Sequence, residues 1–494
     1  MPRLKLLSIA SALLCCGAAL AQQASDPLQL STQKAIVTNP EVTARFHAFQ
    51  AADHEIGVAR GAYYPRLDVN ANLGRTRDRT DLQPSTYRGV SYRGAGLSVT
   101  QLLWDGFATR KEVGRLGHVK NARYFEFVDV SEQTALEAAR AYYDVLRYRQ
   151  LVQQAEDNYV QHKVFNDQIE SRFKAGVGRG VDVDQAGARL ALAESNLATE
   201  LANLHDVNAR YQRIVGEAPP PAAALGPLLK EGLPGNAQET VAQALARNAA
   251  ISAAIENLRA ARAQAEGQRG TYQPRLEARA RTSTGENLNG NIDQQRDVTA
   301  ELVLNWNLFN GGSDRARSRQ LADLIAQAAD VRDRTCREVR QTAAIAHHDT
   351  DKLGTQLRYL ARNMAAIERA RDSYRQQFEI GQRSLLDLLN AQNEVYTSRR
   401  AYANAAYDLH IAYARAQAAL NSLTGTLGLS RVDTGAAIET GWSAGEDAAE
   451  RCPVVDSTPT ATPLAELDAR AKAQAEARAA GSQPQPAPPA TRPQ

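Results

Sequence analysis

Four segments of the chain, each about ten residues long, alternate apolar with polar positions, which is the pattern of strands in outer-membrane barrels. In Asp297–Phe309, Val298 and Leu302 fall on one face, and Thr299 and Glu301 fall on the other. The other three segments are Arg66–Arg75, Arg93–Leu103 and Arg275–Thr284. We therefore predict four amphipathic strands; the alternative is an ordinary sheet in a water-soluble domain.

Aromatic residues gather at the ends of these segments, as they do where a membrane meets water. We predict this interfacial role for Tyr64, Trp104, Phe107, Tyr272, Trp306 and Phe309. Four strands cannot close a barrel, because small barrels need about eight, and an open sheet edge is excluded from lipid. The chain must therefore oligomerise. Three copies would supply 12 strands, although closure alone also permits two or four copies.

Long helical stretches separate the strand segments. Residues 275–452 contain no proline over 178 positions, and proline is the main breaker of helix interiors. Asp105–Phe173 would extend about 100 Å at about 1.5 Å per residue, so it must pack along other helices. In the last stretch, mostly apolar residues recur at every seventh position, and this heptad pattern predicts a coiled-coil seam. These seam residues are Leu388, Val395, Tyr402, Leu409, Ala416 and Leu423, with Gln392 and Arg399 as polar exceptions at the alternate seam positions.

The chain contains a tandem duplication. The segment Gly61–Leu67 recurs as Gly270–Leu276, 209 positions later, and Leu103–Gly106 recurs as Leu308–Gly311, 205 positions later. Such self-similarity predicts two equivalent architectural units. We assign a helix-strand-strand-helix half to residues 22–218 and another to 237–430, joined by a proline-rich linker at 219–236.

Both ends of the chain differ from the duplicated body. Residues 1–21 have the positive, apolar and Ala-Leu-Ala segments of a secretory signal peptide. Residues 431–494 form a C-terminal extension that we predict to be largely disordered, because eight of the 19 prolines lie in its last 42 residues. The mature chain keeps Cys336 and Cys452, and in an exported protein these two residues either pair or stay free.

Composition excludes several classes of function. The mean hydropathy of −0.44 excludes a polytopic helical membrane protein. The 58 basic and 55 acidic residues nearly balance, so we expect no nucleic-acid partner. His347 and His348 are adjacent and do not share a helix face as i, i+4 metal ligands would. With no catalytic constellation in the sequence, we expect a non-enzyme without metal or cofactor.

The signal peptide, the duplicated plan, the two Tyr-x-Pro-Arg-Leu strand starts and the Leu-Trp-Asp-Gly and Leu-Phe-Asn-Gly motifs resemble the TolC-like outer-membrane efflux family. The resemblance covers about residues 28–430. It implies a mainly α protein with a transmembrane β-barrel portion: a homotrimeric 12-stranded barrel on a long α-helical coiled-coil tunnel. The implied location is the outer membrane, with the tunnel in the periplasm. The implied partners are a periplasmic adaptor (a membrane fusion protein), an inner-membrane transporter and outer-membrane lipid.

The resemblance also places a periplasmic gate at the turns between paired helices, within Arg172–Asp184 and Gln377–Asn390. It assigns Asp387 to an acidic ring at the constriction. Asn390 occupies the position of a second ring residue, so this ring would carry less charge. A ring of carboxylates in a narrow pore favours cations and resists anions.

The same resemblance implies a closing link between neighbouring hairpins, formed by Arg383 and Asp182. Phe378 stands where some members carry a tyrosine that joins this link, so that hydrogen bond would be absent. Asp184 belongs to the same candidate gate. A structural role is the alternative, because Asp182 and Asp184 suit a helix N-terminus and Ser384 to Asp387 resembles a capping box.

Three functions follow from these observations. The preferred one is the outer-membrane exit duct of a type I secretion system that exports an adhesin-like or toxin-like protein. The second is the outer-membrane channel of a tripartite drug or metal efflux pump. The third is a periplasmic coiled-coil adaptor or scaffold, which explains the long helices but does not need two matched pairs of amphipathic strands.

Overall fold

The computed structural model describes residues 26–78, 88–221, 223–287, 293–432, 436–449, 451–455 and 462–481. The predicted signal peptide lies outside the described residues. The chain divides into two units, Met1–Val454 and Val455–Gln494. The second unit contains one described helix, Leu464–Gly481.

Each half of the larger unit opens with two helices that begin at capping side chains. These are α1 (Pro27–Thr38) and α2 (Pro40–Arg60) in the first half, and α5 (Ala237–Arg247) and α6 (Ala249–Gln268) in the second. Asn39 and Asn248 each accept a hydrogen bond from the backbone N–H two residues later, at 2.9 and 3.0 Å. Side-chain caps of this kind satisfy the free N–H groups of a first helical turn. The duplication therefore extends to the hydrogen bonds that start the helices.

A four-stranded antiparallel sheet has the order β1-β2-β3-β4. The strands are β1 (Arg66–Asp78), β2 (Arg88–Trp104), β3 (Arg275–Glu286) and β4 (Gln294–Asn305). The central pair joins the two halves, with Val99 opposite Ala280, and a bulge lies between Leu102 and Trp104. The predicted strands are present, but the last one ends at Asn305 instead of Phe309. The Asn307 side chain accepts the Phe309 N–H at 3.2 Å there, which turns the chain out of the sheet.

Two long helical hairpins extend from the sheet. Their helices are α3 (Ala108–Lys174), α4 (Gly180–Val215), α7 (Ser313–Glu379) and α8 (Leu385–Ala419), followed by the single turn α9 (Leu423–Thr426). The long helices α3 and α7 both have 67 residues, or about 100 Å at about 1.5 Å per residue. Gly176 and Gly381 have φ values of +80° and +76° in the turns between the paired helices. A left-handed backbone there favours glycine.

The main core lies between α1, α3, α4 and α8. It contains Tyr142, Tyr143, Tyr211 and Ile36, which are almost fully buried. Along α8 the predicted seam residues Leu388, Val395, Leu409 and Ala416 are buried. Gln392, the predicted polar exception, is buried too, and its Oε1 accepts a hydrogen bond from Arg371 Nη1 at 3.2 Å. No helix in the described part of the chain is both long and apolar enough to cross a membrane.

Residues 436–449 and 451–454, which we call the C-terminal strap, include the short helix α10 (Ala436–Gly441) and pack on α3, α6 and α7. The Trp442 ring lies 5.0 Å from the Phe125 ring, and Asp447 Oδ2 accepts a hydrogen bond from Arg259 Nε at 2.7 Å. Cys452 forms a disulfide with Cys336 of α7. The strap lies within the segment predicted to be largely disordered, and these contacts are what hold it against the helices.

Candidate functional site

The register of the sheet places most of the apolar side chains of the four strands on one face. Ala280 lies opposite both Val99 and Ala300, and Leu97 lies opposite Val69. Because side chains two positions apart share a face, the apolar face comprises Leu67, Val69, Ala71, Leu73, Leu97, Val99, Leu276, Ala278, Ala280, Val298, Ala300, Leu302 and Leu304. Leu73 is 84% exposed and Val298 is 77% exposed. Such a large exposed apolar surface marks a site of contact with membrane or protein.

The opposite face of the sheet is polar and charged. Glu277 accepts hydrogen bonds from Arg275 Nε at 2.6 Å and from Arg279 Nη2 at 2.7 Å. Arg279 lies opposite Glu301 on β4. A sheet with one apolar and one charged face matches the wall of a barrel that has lipid outside and water inside.

The predicted interfacial aromatics lie together at one end of the sheet. Antiparallel register places the start of β1 and β3 beside the end of β2 and β4, with Arg275 opposite Asn305. The side chains of Tyr64, Trp104, Phe107, Tyr272, Trp306 and Phe309 are all exposed there. Trp306 Nε1 donates a hydrogen bond to the Tyr272 carbonyl at 3.2 Å. Their contact with a membrane interface stays a prediction.

The duplicated motifs meet at this same end. The backbone of Gly106 lies so close to Gly270 and Gln273 that a Cβ on Gly106 would come within 2.9 Å of Gly270 Cα. A Cβ on Gly270 would lie 3.1 Å from the Asp105 carbonyl oxygen. Gly106 and Gly270 therefore permit a close backbone approach at the junction of strands and helices, whereas a Cβ on their counterparts Gly311 and Gly61 would meet nothing within 4 Å.

At the far end of the hairpins, one apolar cluster joins the two helix turns. Its buried members are Phe165, Ile169, Ala186, Leu385, Leu388 and Leu389. Phe378 is half-buried against this cluster, and the Arg172 guanidinium lies 5.5 Å from the centre of its ring. The cluster takes residues from α3, α4 and α8, so the tips of both hairpins are packed as one body.

The structure brings two of the predicted gate residues into contact. Arg383 Nη1 lies 3.7 Å from Asp387 Oδ2, and Arg383 Nε donates a hydrogen bond to Gln377 Oε1 at 3.0 Å. The Arg383 guanidinium also lies over the Tyr374 ring at 4.3 Å. Ser384 Oγ donates to Asp387 Oδ2 at 2.9 Å and accepts a hydrogen bond from the Asp387 N–H at 3.2 Å. Ser384 therefore caps α8, and the Asp387 carboxylate bonds to the serine hydroxyl, whereas in a capping box it would bond to the serine backbone N–H.

The other predicted gate residues lie at the start of α4 and α8. Asp182 is in the first turn of α4, where its backbone N–H donates to the Arg179 carbonyl at 3.2 Å. Asp184 is exposed. Within the described residues, no hydrogen bond or ion pair joins Arg383 to Asp182, so the link between neighbouring hairpins stays a prediction.

A link between the hairpins that the sequence analysis missed joins Arg189 to Asn390. Arg189 Nη2 donates to Asn390 Oδ1 at 2.7 Å and connects α4 to α8. Arg189 lies seven positions after Asp182, on the same face of α4. This seven-residue spacing from Asp182 is the feature of the sequence that places Arg189 near the predicted gate. In the part of the chain described here, no group of three His, Cys, Asp or Glu side chains is placed to hold a metal ion.

Comparison with known proteins agrees with this geometry. The sequence profile described as outer membrane efflux protein matches residues 32–217 and 240–426, which are the two halves of the duplication. The chain is 28% identical to the outer membrane efflux protein BepC of Brucella suis over 415 residues, covering 82% of this chain and 88% of BepC. It is 25% identical to the alkaline protease secretion protein AprF of Pseudomonas aeruginosa over 402 residues, covering 77% and 81%.

The fold is also similar to solved structures. The crystal structure of the CmeC outer membrane channel of Campylobacter jejuni aligns with a TM-score of 0.72, at 13% identity, over 87% of this chain and 90% of CmeC. At 13% identity, this similarity supports only a shared fold.

Proposed function

This chain belongs to the outer membrane efflux protein family, and from that premise we propose that it is the exit duct of a type I secretion system, which carries an adhesin-like or toxin-like protein out of the cell. Family membership confirms the predicted fold, a helical tunnel joined to a barrel, and the predicted location in the outer membrane with an extension into the periplasm. An outer-membrane efflux or secretion channel is the function at the level of the family.

The similarity to AprF, a protein named for alkaline protease secretion, carries the proposal of protein export. A second candidate, the outer-membrane channel of a drug or metal efflux pump, is favoured by the similarity to the efflux protein BepC. The periplasmic adaptor is disfavoured, because both halves match the channel family, strands included. We propose that the protein has no enzymatic activity, since an exit duct needs only a passage of suitable width and charge.

The proposed assembly is a homotrimer. In the described part of the chain, β1 and β4 each have a partner strand on one side only. Unpaired edges are excluded from lipid, and three copies would join these edges into a ring of 12 strands. A periplasmic adaptor and an inner-membrane transporter are the proposed partners at the hairpin tips.

A clean deletion strain, complemented with the full chain, tests the proposal. Its secreted and surface proteins are compared with those of the parent, together with susceptibility to a panel of drugs and metals. Loss of one large exported protein with unchanged susceptibility supports type I secretion. Raised susceptibility with an intact set of exported proteins supports the efflux channel and overturns the secretion proposal.

A further inference from the structure

The apolar face of the sheet continues onto the start of α3. Beyond the bulge in β2, Trp104 lies opposite Leu276 and so joins the apolar face. The Phe107 ring packs edge-on against the Trp104 ring, with 4.6 Å between their centres. Phe107 therefore lies on the membrane-facing side of the wall, immediately beyond the end of the strands.

Phe107 is held in a backbone conformation that side chains other than glycine rarely adopt. Its φ is +66°, and it is the residue that precedes the first turn of α3. The equivalent position of the second half, 205 residues later, is Gly312, which has a φ of +86°. The fold therefore works with glycine here. A ring kept at a strained position is a sign that the side chain has a function.

A pocket of about 430 Å³ lies directly beside Phe107, between α3 and α6. Phe107, Arg110 and Lys111 line it from α3, and Glu266 lines it from α6. Lys111 pairs with Glu266. Arg110 is exposed, and among the described residues it has no ion-pair or hydrogen-bond partner for its side chain. These three charged groups leave the pocket with one unbalanced positive charge.

The order of groups along this surface is an apolar sheet face, two exposed aromatic rings and then a pocket with an arginine whose side chain has no partner among the described residues. A phospholipid at a membrane boundary presents the same order: acyl chains, glycerol and then a phosphodiester with one negative charge. We propose that this pocket binds the phosphate of an anionic glycerophospholipid, of the phosphatidylglycerol type, from the periplasmic leaflet of the outer membrane. Arg110 contacts the phosphate, Lys111 supports it, and the Phe107 ring covers the glycerol region.

This inference rests on the membrane location but not on the cargo, so its test is separate from the export assay. The full-length oligomer is purified in a non-ionic detergent and titrated with dilauroyl phosphatidylglycerol, and lipid binding is followed by native mass spectrometry. We expect a saturable site per chain. Each removed cation should weaken binding about fivefold, because a cation near an anionic membrane surface contributes about 1 kcal/mol, so Arg110→Gln with Lys111→Gln should weaken it by more than tenfold.

Phe107→Gly separates a role in lipid binding from a role in folding. Glycine relieves the strained backbone, so the variant should melt at the same or a higher temperature than wild type while it binds the lipid more weakly. Arg315→Gln, at the equivalent position of the second half beside Gly312, is the matched control and should keep wild-type affinity. Unchanged binding in the Arg110/Lys111 double variant overturns the proposal. Equal competition by glycerol 3-phosphate shows a free-anion site and also overturns it.

Discussion

Arg383 Nη1 lies 3.7 Å from Asp387 Oδ2, so the arginine and the aspartate assigned to the gate interact within one hairpin turn. Both side chains are about two-fifths exposed, and exposed ion pairs of this kind stabilise a fold by about 0.2–1 kcal/mol. The pair can therefore be opened at little cost. Its main effect is on charge, because Arg383 offsets the carboxylate that each copy would present to a pore.

Arg383→Gln should make a reconstituted channel more selective for cations. Without the guanidinium, Asp387 presents an uncompensated negative charge, and a ring of such charges concentrates cations in a narrow pore. The reversal potential in a potassium chloride gradient across a planar bilayer measures this change. Asp387→Asn should shift the reversal potential in the opposite direction.

Arg213→Gln serves as the matched control, because Arg213 is exposed near the opposite end of α4. It should leave the reversal potential unchanged. Equal reversal potentials for wild type, Arg383→Gln and Asp387→Asn would show that these residues lie away from the conducting path.

Arg189→Gln should raise the conductance of the closed channel. The substitution weakens the 2.7 Å hydrogen bond to Asn390 that joins α4 to α8 at the hairpin tips. Asn390→Asp should lower the conductance, because a carboxylate adds the attraction of an ion pair to the hydrogen bond from the Arg189 guanidinium and can accept two of its N–H groups. Single-channel recording of both variants measures these opposite shifts. Changes in the same direction would contradict a closing role for the link.

Much of the fold could be predicted from the sequence, because the duplication repeats each sequence pattern in both halves. Each of the four alternating segments is weak evidence alone, but the duplication at offsets of 205 and 209 residues makes them mutually supporting. The end of β4 was misplaced by four residues. The alternation of apolar and polar positions continues through Trp306 to Leu308, whereas the Asn307 side chain ends the strand through a local hydrogen bond.

The partners of individual side chains were less accessible. The resemblance assigns Arg383 to a link with Asp182, but a sequence does not reveal that Gln377 and Tyr374, six and nine positions earlier on α7, lie within its reach. The contacts of the C-terminal strap were also missed. They depend on single residues, such as Trp442 and Asp447, in a segment whose composition resembles that of disordered chains.

Stability should depend on the ionisation of Glu132. This side chain is 1% exposed in α3 and accepts hydrogen bonds from the backbone and the hydroxyl of Thr424 at the start of α9. Burial raises the pKa of Glu132 from its ordinary value of 4.5 to about 7, although the bonds from Thr424 lower it in part. The protonated Glu132 carboxyl therefore contributes fully to the free energy of unfolding below pH 4.5, and this contribution is lost as the pH rises through 7.

Glu132→Gln should remove this pH dependence, because the amide keeps an acceptor oxygen and does not ionise. Relative to wild type, the variant should gain stability between pH 5 and pH 8, by about 1.4 kcal/mol for each unit of the pKa shift. Thermal unfolding at the two pH values measures the gain. Glu137→Gln, at an exposed position five residues later on α3, is the control and should parallel wild type.

Reduction of the Cys336–Cys452 disulfide should destabilise the protein and release the C-terminal strap. The bond joins residues separated by 116 positions, and removal of a disulfide that closes a long loop costs about 2–5 kcal/mol. Cys452→Ser should lower the melting temperature as much as dithiothreitol lowers that of wild type, and should expose the strap to trypsin at Arg451. Cys336→Ser is the matched control, because it breaks the same bond from α7. An unchanged wild-type melting temperature in dithiothreitol would mean that the noncovalent contacts of the strap, such as those of Trp442 and Asp447, are enough to secure it.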